Sequence, residues 1–171
     1  TGTLTDIKNK KLGNKTIHIT INDDEYEITT NNLGAYSLKV TANRTGTNTI
    51  KATYTGNDCY TNTTSYTVFN VNKQNTIITL SATNNTKLGH TIMITGILAD
   101  KNNEKLDGKT VSIAINNYTY EATTNKNGTV TLTVTANRTG TNTIKATYTG
   151  DNSYTNTTSS VTINVNRLNT K

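Results

Sequence analysis

The stretch TANRTGTNTIKATYTG runs from Thr41 to Gly56 and returns, letter for letter, from Thr135 to Gly150. Inside it, Ile144, Ala146 and Tyr148 alternate with Thr143, Lys145 and Thr147. An apolar residue at every second position makes a strand with one face toward a core and one toward water, because successive side chains of an extended chain point to opposite sides. Outward from this stretch the repeat covers most of the chain. Residues 1–77 align with 95–171 without a gap, at a fixed offset of 94, and more than half of the other aligned positions are identical or similar. That period is too long for a solenoid repeat and fits a small sandwich domain that folds by itself.

The same alternation marks the neighbouring strands. Val111, Ile113 and Ile115 share a face, as do Ile17, Ile19 and Ile21 in the first copy. Tyr120 and Ala122 pair in parity, matched by Tyr26 and Ile28. The Asn125–Gly128 turn follows, and its Asn-Gly step predicts a hairpin. Val130, Leu132 and Val134 come next, and Val161, Ile163 and Val165 close the domain. About seven strands, with no convincing 3.6-residue pattern, predict an all-β chain of two tandem immunoglobulin-like antiparallel β-sandwich domains. The expected domains are 1–73 and 74–171. Residues 76–94 (TIITLSATNNTKLGHTIMI) have no partner ahead of the first copy. They supply a first strand at Ile77–Leu80 and a second at Leu88–Leu98. The first domain is therefore expected to lack its first strand and part of its second, leaving a sheet edge open to water or to a neighbouring molecule. The link at Asn72–Asn75 is short, so the pair is expected to be elongated, end to end.

Composition agrees. Hydrophobic residues make up only 32%, but charged residues are also sparse at 16% and Pro is absent, which is not the make-up of a disordered chain. Thr suits the solvent face of strands and Asn suits turns. The net charge of +6 is scattered, without the clustered basic patch that nucleic acid requires. Cys59, matched by Ser153, is the single cysteine, so no intrachain disulfide forms. No apolar run reaches membrane-spanning length. Thr1 opens no visible signal peptide, and the missing Met start reads as a stretch excised from a longer array.

The segment Tyr148-Thr149-Gly150-Asp151-Asn152-Ser153-Tyr154 resembles the YxGDxxY segment of bacterial group 3 immunoglobulin-like (Big_3-type) domains. The first copy carries Gly56-Asn57-Asp58 where the second has Gly150-Asp151-Asn152. The run Ile115–Thr124 is similar to the hairpin preceding that segment in the family. The Thr- and Asn-rich texture resembles adhesin-like surface proteins of methanogenic archaea. The resemblance covers nearly the whole chain. It implies a sandwich fold, an extracellular, cell-surface or cell-wall location, and a role as stalk or adhesive module, with no shared catalytic residues.

Eight Asn-x-Ser/Thr sequons are present; Asn43 and Asn137, and Asn62 and Asn156, recur between copies near predicted turns and are the candidate glycosylation acceptors. Tyr60 and Tyr154 are expected to be structural corners that pin the Gly-Asp/Asn loop with ring and hydroxyl. No catalytic, cofactor or metal residues are expected: His18 and His90 are unrelated by the repeat, and no cluster has ligand spacing. Asn22–Glu25 is read as a solvated acidic turn. Tyr66 and Tyr118 look outward but stand alone, and there is no Trp to build a sugar-stacking platform. An internal Lys–Asn amide crosslink is not expected: Lys15 and Lys109 share the inward parity but lie at strand starts, where solvent is near. The sequence therefore predicts a non-catalytic stalk whose partners are neighbouring repeats of its own chain. The alternative is that the domains themselves bind a glycan, a cell-wall polymer or a surface protein of another cell. Nucleic acid and membrane insertion are not expected.

Overall fold

A computed structural model of the chain describes residues 1–169, and every regular element among them is a strand. The chain divides into two units, Thr1–Asn72 and Lys73–Lys171.

The second unit contains β7 (Thr76–Ala82), β8 (Thr86–Lys87), β9 (Thr91–Asp100), β10 (Thr110–Ile115), β11 (Tyr118–Thr123), β12 (Thr129–Thr135), β13 (Gly140–Tyr148) and β14 (Thr157–Asn166). Two sheets form, one in the order β11-β10-β13-β14-β8 and one in the order β12-β9-β7. Every pairing is antiparallel except β14 with β8. The residues that alternate inward fill the space between the sheets. Ile94, Leu98, Val111, Ile113, Ile144 and Ala146 are fully buried, with Val130, Tyr148, Ile163 and Val165 close behind. Thr takes most of the intervening outward positions, where its branched side chain fits the pleat.

The first unit has the same plan in part. It holds β1 (Gly2–Thr3), β2 (Thr16–Ile21), β3 (Asp24–Thr29), β4 (Ala35–Tyr36), β5 (Gly46–Tyr54) and β6 (Thr63–Val71). The order β3-β2-β5-β6 matches β11-β10-β13-β14 strand for strand. The opposite sheet shrinks to β1 and β4, two residues each. Among the described residues, nothing in this unit corresponds to β7 or to the first half of β9. The fully buried core is correspondingly small: Leu4, Leu12, Ile17, Ile19 and Tyr54.

Two sequence expectations change. The Asn125–Gly128 turn does not close a hairpin, because β11 and β12 lie in different sheets. The Asn125 side chain instead accepts bonds from the Asn127 and Thr129 amides, and Leu98 donates to the Gly128 carbonyl at 2.8 Å, so the turn carries the chain across the sandwich. The tight hairpin is β10–β11, where Ile115 pairs with Tyr118 and Asn116 takes the left-handed conformation at φ 52°. Asn22 does the same at φ 53° between β2 and β3, which places Asn22–Glu25 at a hairpin tip. The second strand begins at Thr91 rather than Leu88. Thr86–Lys87 leaves the three-stranded sheet to pair in parallel with Val165–Asn166.

Paired polar devices hold both units. Asn142 is buried; its amide donates to the Arg138 and Gly140 carbonyls, while Asn116 donates to its oxygen at 2.6 Å. Asn48 repeats this with Arg44, Gly46 and Asn22. The buried Thr124 hydroxyl donates to the Leu106 carbonyl and accepts from the Lys109 amide, and Thr30 does so with Leu12 and Lys15. These side chains satisfy backbone groups that burial would otherwise leave unpaired.

Candidate functional site

The most motif-like segment lies at the end of β13. Tyr148 closes the strand, Gly150 turns with φ 81°, and Asp151 folds the chain back. One carboxylate oxygen of Asp151 accepts the Ser153 and Tyr154 amides at 2.8 and 2.9 Å. The other meets the Lys109 ammonium at 2.6 Å. The same ammonium stands 5.0 Å from the centre of the Tyr154 ring. Burial opposes ionisation of Asp151, but Lys109, the Ser153 and Tyr154 amides and the Tyr148 hydroxyl outweigh it and bring the carboxyl to about 2. The Tyr148 hydroxyl is buried without a well-formed hydrogen bond; that burial, and next the Asp151 carboxylate, push its ionisation well above the usual tyrosine range.

This arrangement fastens a loop. A nucleophile would need a proton acceptor, whereas Asp151 is held ionised and occupied on both oxygens. Lys109 faces an aspartate rather than an asparagine. In the first unit the turn survives without the charge: Asn57 accepts the Cys59 and Tyr60 amides at 3.0 Å each, and Lys15 has no carboxylate at this position. Tyr60 and Tyr154 are half-buried, with rings packed against their cores. The bonds that close the corner run through Asn57, Asp151 and the tyrosine backbones.

A folded-state carboxyl held below its ordinary value of 3.8 stabilises the fold above that pH, and the contribution is lost as pH falls toward 2. Asp151→Asn, which keeps the turn acceptor as Asn57 does, is therefore expected to cost the second unit no more than about 1 kcal/mol at pH 7. Solvent screens the pair, since the Lys109 and Asp151 side chains are 27% and 35% exposed. The gap between variant and parent, followed by urea unfolding, should be widest above pH 3.8 and narrow as pH falls through about 2; a gap of equal size at pH 7 and at pH 2 would contradict the ion pair's role.

Asn43, Asn62, Asn137 and Asn156 are all exposed, as are the other four sequon asparagines. Tyr66 and Tyr118 are exposed on separate units. His18 stands 3.1 Å from Glu27 across β2–β3. Among the described residues, no three His, Cys, Asp or Glu side chains come together to hold a metal.

A second feature is an open groove of about 850 Å³ in the first unit, lined by Ile21, Leu38, Val40, Ile50, Ala52 and Phe69 among others. The groove is the core face of the four-stranded sheet where the opposite sheet does not reach. Within the identical stretch, Ile144, Ala146 and Ala136 are buried, while Ile50 and Ala52 are half-buried and Ala42 is exposed.

No curated protein matches the chain by sequence. Among solved structures, the fibronectin(III)-like modules of Clostridium thermocellum CbhA align over 92% of this chain and 82% of theirs, at 16% identity and TM-score 0.45. A Ca2+-stabilised adhesin that helps an Antarctic bacterium reach out and bind ice aligns over 92% of this chain and 41% of its own, at 17% identity and TM-score 0.39. The apo structure of Bacteroides uniformis β-glucuronidase 3 aligns over 86% and 21%, at 13% identity and TM-score 0.32. By sequence, residues 78–166 match the family of bacterial Ig-like domains (group 3). That span runs from β7 through β14, takes in more than half of the chain, and includes the stretch that the first unit repeats. The chain belongs to the bacterial Ig-like domain (group 3) family.

Proposed function

We propose that the two units are non-catalytic structural repeats of an extracellular, cell-surface protein, acting as a stalk that spaces a binding head from the cell wall. The observation that carries this reading is what the repeat preserves. Turn asparagines, buried threonines and the inward apolar positions recur, and these are groups that maintain a fold. The charged pair at the Gly-Asp turn is not kept in both copies. A binding or catalytic site under duplication would be expected to keep its reactive side chains and vary its scaffold. The exposed sequons at Asn43, Asn62, Asn137 and Asn156 suit a surface that carries glycans in an exported protein.

The test is binding of the purified protein to whole cells, cell-wall polymers and a glycan array, together with its solution scattering profile. A spacer shows no saturable binding and an extended particle. Saturable binding to one polymer or glycan would replace the stalk with an adhesive module.

A further inference from the structure

The second unit holds its opening segment, residues 74–88, beside its closing segment, residues 154–166. The two run the same way and are bonded at both ends. At the start, Gln74 bridges Tyr154 in parallel: the Gln74 amide donates to the Ser153 carbonyl at 2.8 Å, and the Thr155 amide donates to the Gln74 carbonyl at 2.9 Å. The buried Thr76 hydroxyl adds a bond to the Thr155 carbonyl at 2.8 Å. At the far end β8 pairs in parallel with β14, at Thr86↔Val165 and Lys87↔Asn166. There the Leu88 amide donates to the Asn166 carbonyl at 3.0 Å, and the Asn164 amide donates to the Asn84 side-chain oxygen at 2.9 Å. The segments advance almost in step, since Thr86 lies twelve residues past Gln74 and Val165 eleven past Tyr154. Between the fastened ends, Ile78 and Leu80 of β7 share the core with Ile163 and Val165 of β14.

We propose that this pair of segments is a mechanical clamp that resists unfolding when the chain is pulled along its length. Tension that enters the second unit at Lys73 and leaves at Arg167 draws one segment backward and the other forward, so it slides them along each other. The bonds at both ends then carry the force together, and the core between them must shear at the same moment. Opened from one end, the same bonds would break one after another. Each bond contributes little at equilibrium, but forced unfolding follows the barrier, to which bonds broken together all contribute. The use of the clamp rests on the stalk reading, in which the chain is under tension; its existence does not. Saturable binding to a glycan would remove the stalk and leave the pulling rates as they are, and a failed clamp would leave the binding experiment untouched.

The intact protein is pulled, one molecule at a time, through cysteine handles. Cys59→Ser clears the exposed native thiol, using the residue that the second copy carries at Ser153. Handles at Lys73→Cys and Arg167→Cys pull the two segments in shear. Handles at Lys73→Cys and Ser153→Cys, also exposed, pull the same bonds open from one end. At equal force, shear is expected to unfold the second unit at least about tenfold more slowly than peeling. Asn84→Ala, which removes one exposed acceptor from the far end, should speed unfolding in shear about two- to tenfold and leave peeling unchanged. Gly108→Ala lies outside both segments and puts a side chain at φ 66°. It should lower the urea midpoint yet leave the shear rate within about twofold of the parent, because its strain persists in a transition state in which only the clamp has opened. Equal rates in the two pulling geometries, no acceleration by Asn84→Ala, or an acceleration by Gly108→Ala as large as by Asn84→Ala would overturn the clamp.

Discussion

Ile144→Ala is expected to destabilise the second unit by about 3–4 kcal/mol, and Ile50→Ala to destabilise the first by about half as much or less. The two residues occupy the same position in sixteen identical residues, on strands with the same neighbours and register. What differs is the opposite sheet. Ile144 is fully buried among Ile94, Leu98 and Val130, so truncation leaves a cavity that neighbours on both sides cannot fill. Ile50 borders the open groove, where water already reaches and removal of its side chain creates little new void. Denaturant unfolding of each variant, read from probes in each unit, measures the two costs; equal costs would mean that the first unit's face is covered.

Gly128→Ala should be the other large effect, about 3 kcal/mol or more. Gly128 has φ 66°, and a β-carbon added there would collide with the Leu98 carbonyl oxygen, which is fixed backbone. The same turn carries the bond from the Leu98 amide, so relief by movement would break the crossing between sheets. Gly108 separates the two contributions. It has the same φ of 66°, yet nothing lies within 4 Å of where a β-carbon would stand. Gly108→Ala should therefore show the left-handed penalty alone, about 1–2 kcal/mol. A chemical denaturation series on both variants decides it, and similar losses for the two would rule out the close approach as the cause.

The period-two alternation made the sandwich legible, because in a sheet with one wet face parity and burial are the same information. It placed Ile113, Ile144, Tyr148 and Ile163 correctly in the core. Parity also held an unread signal: Asn142 shares the inward phase of Ile144, Ala146 and Tyr148, and its exact recurrence at Asn48 marked a buried asparagine whose amide must be bonded. The Lys109–Asp151 pair was not legible, since it joins residues 42 apart and exists only because β10 lies beside β13. The hairpin was misplaced for a physical reason. An Asn-Gly step reports a backbone able to turn, and whether the following strand returns to the same sheet depends on which neighbour is free to pair. Nor could identical sequence disclose unequal burial at Ile50 and Ile144, because the difference is made by residues 76–94.

The central claim is that one sandwich plan is complete in the second unit and uncovered in the first. The most direct measurement is urea unfolding followed by NMR at the amides of Ala52 and Ala146, which sit in identical sequence and identical ladders. Completeness of the core alone should then separate them, with Ala52 losing its native signal at clearly lower urea than Ala146. Coincident transitions, or loss of Ala146 first, would contradict the account.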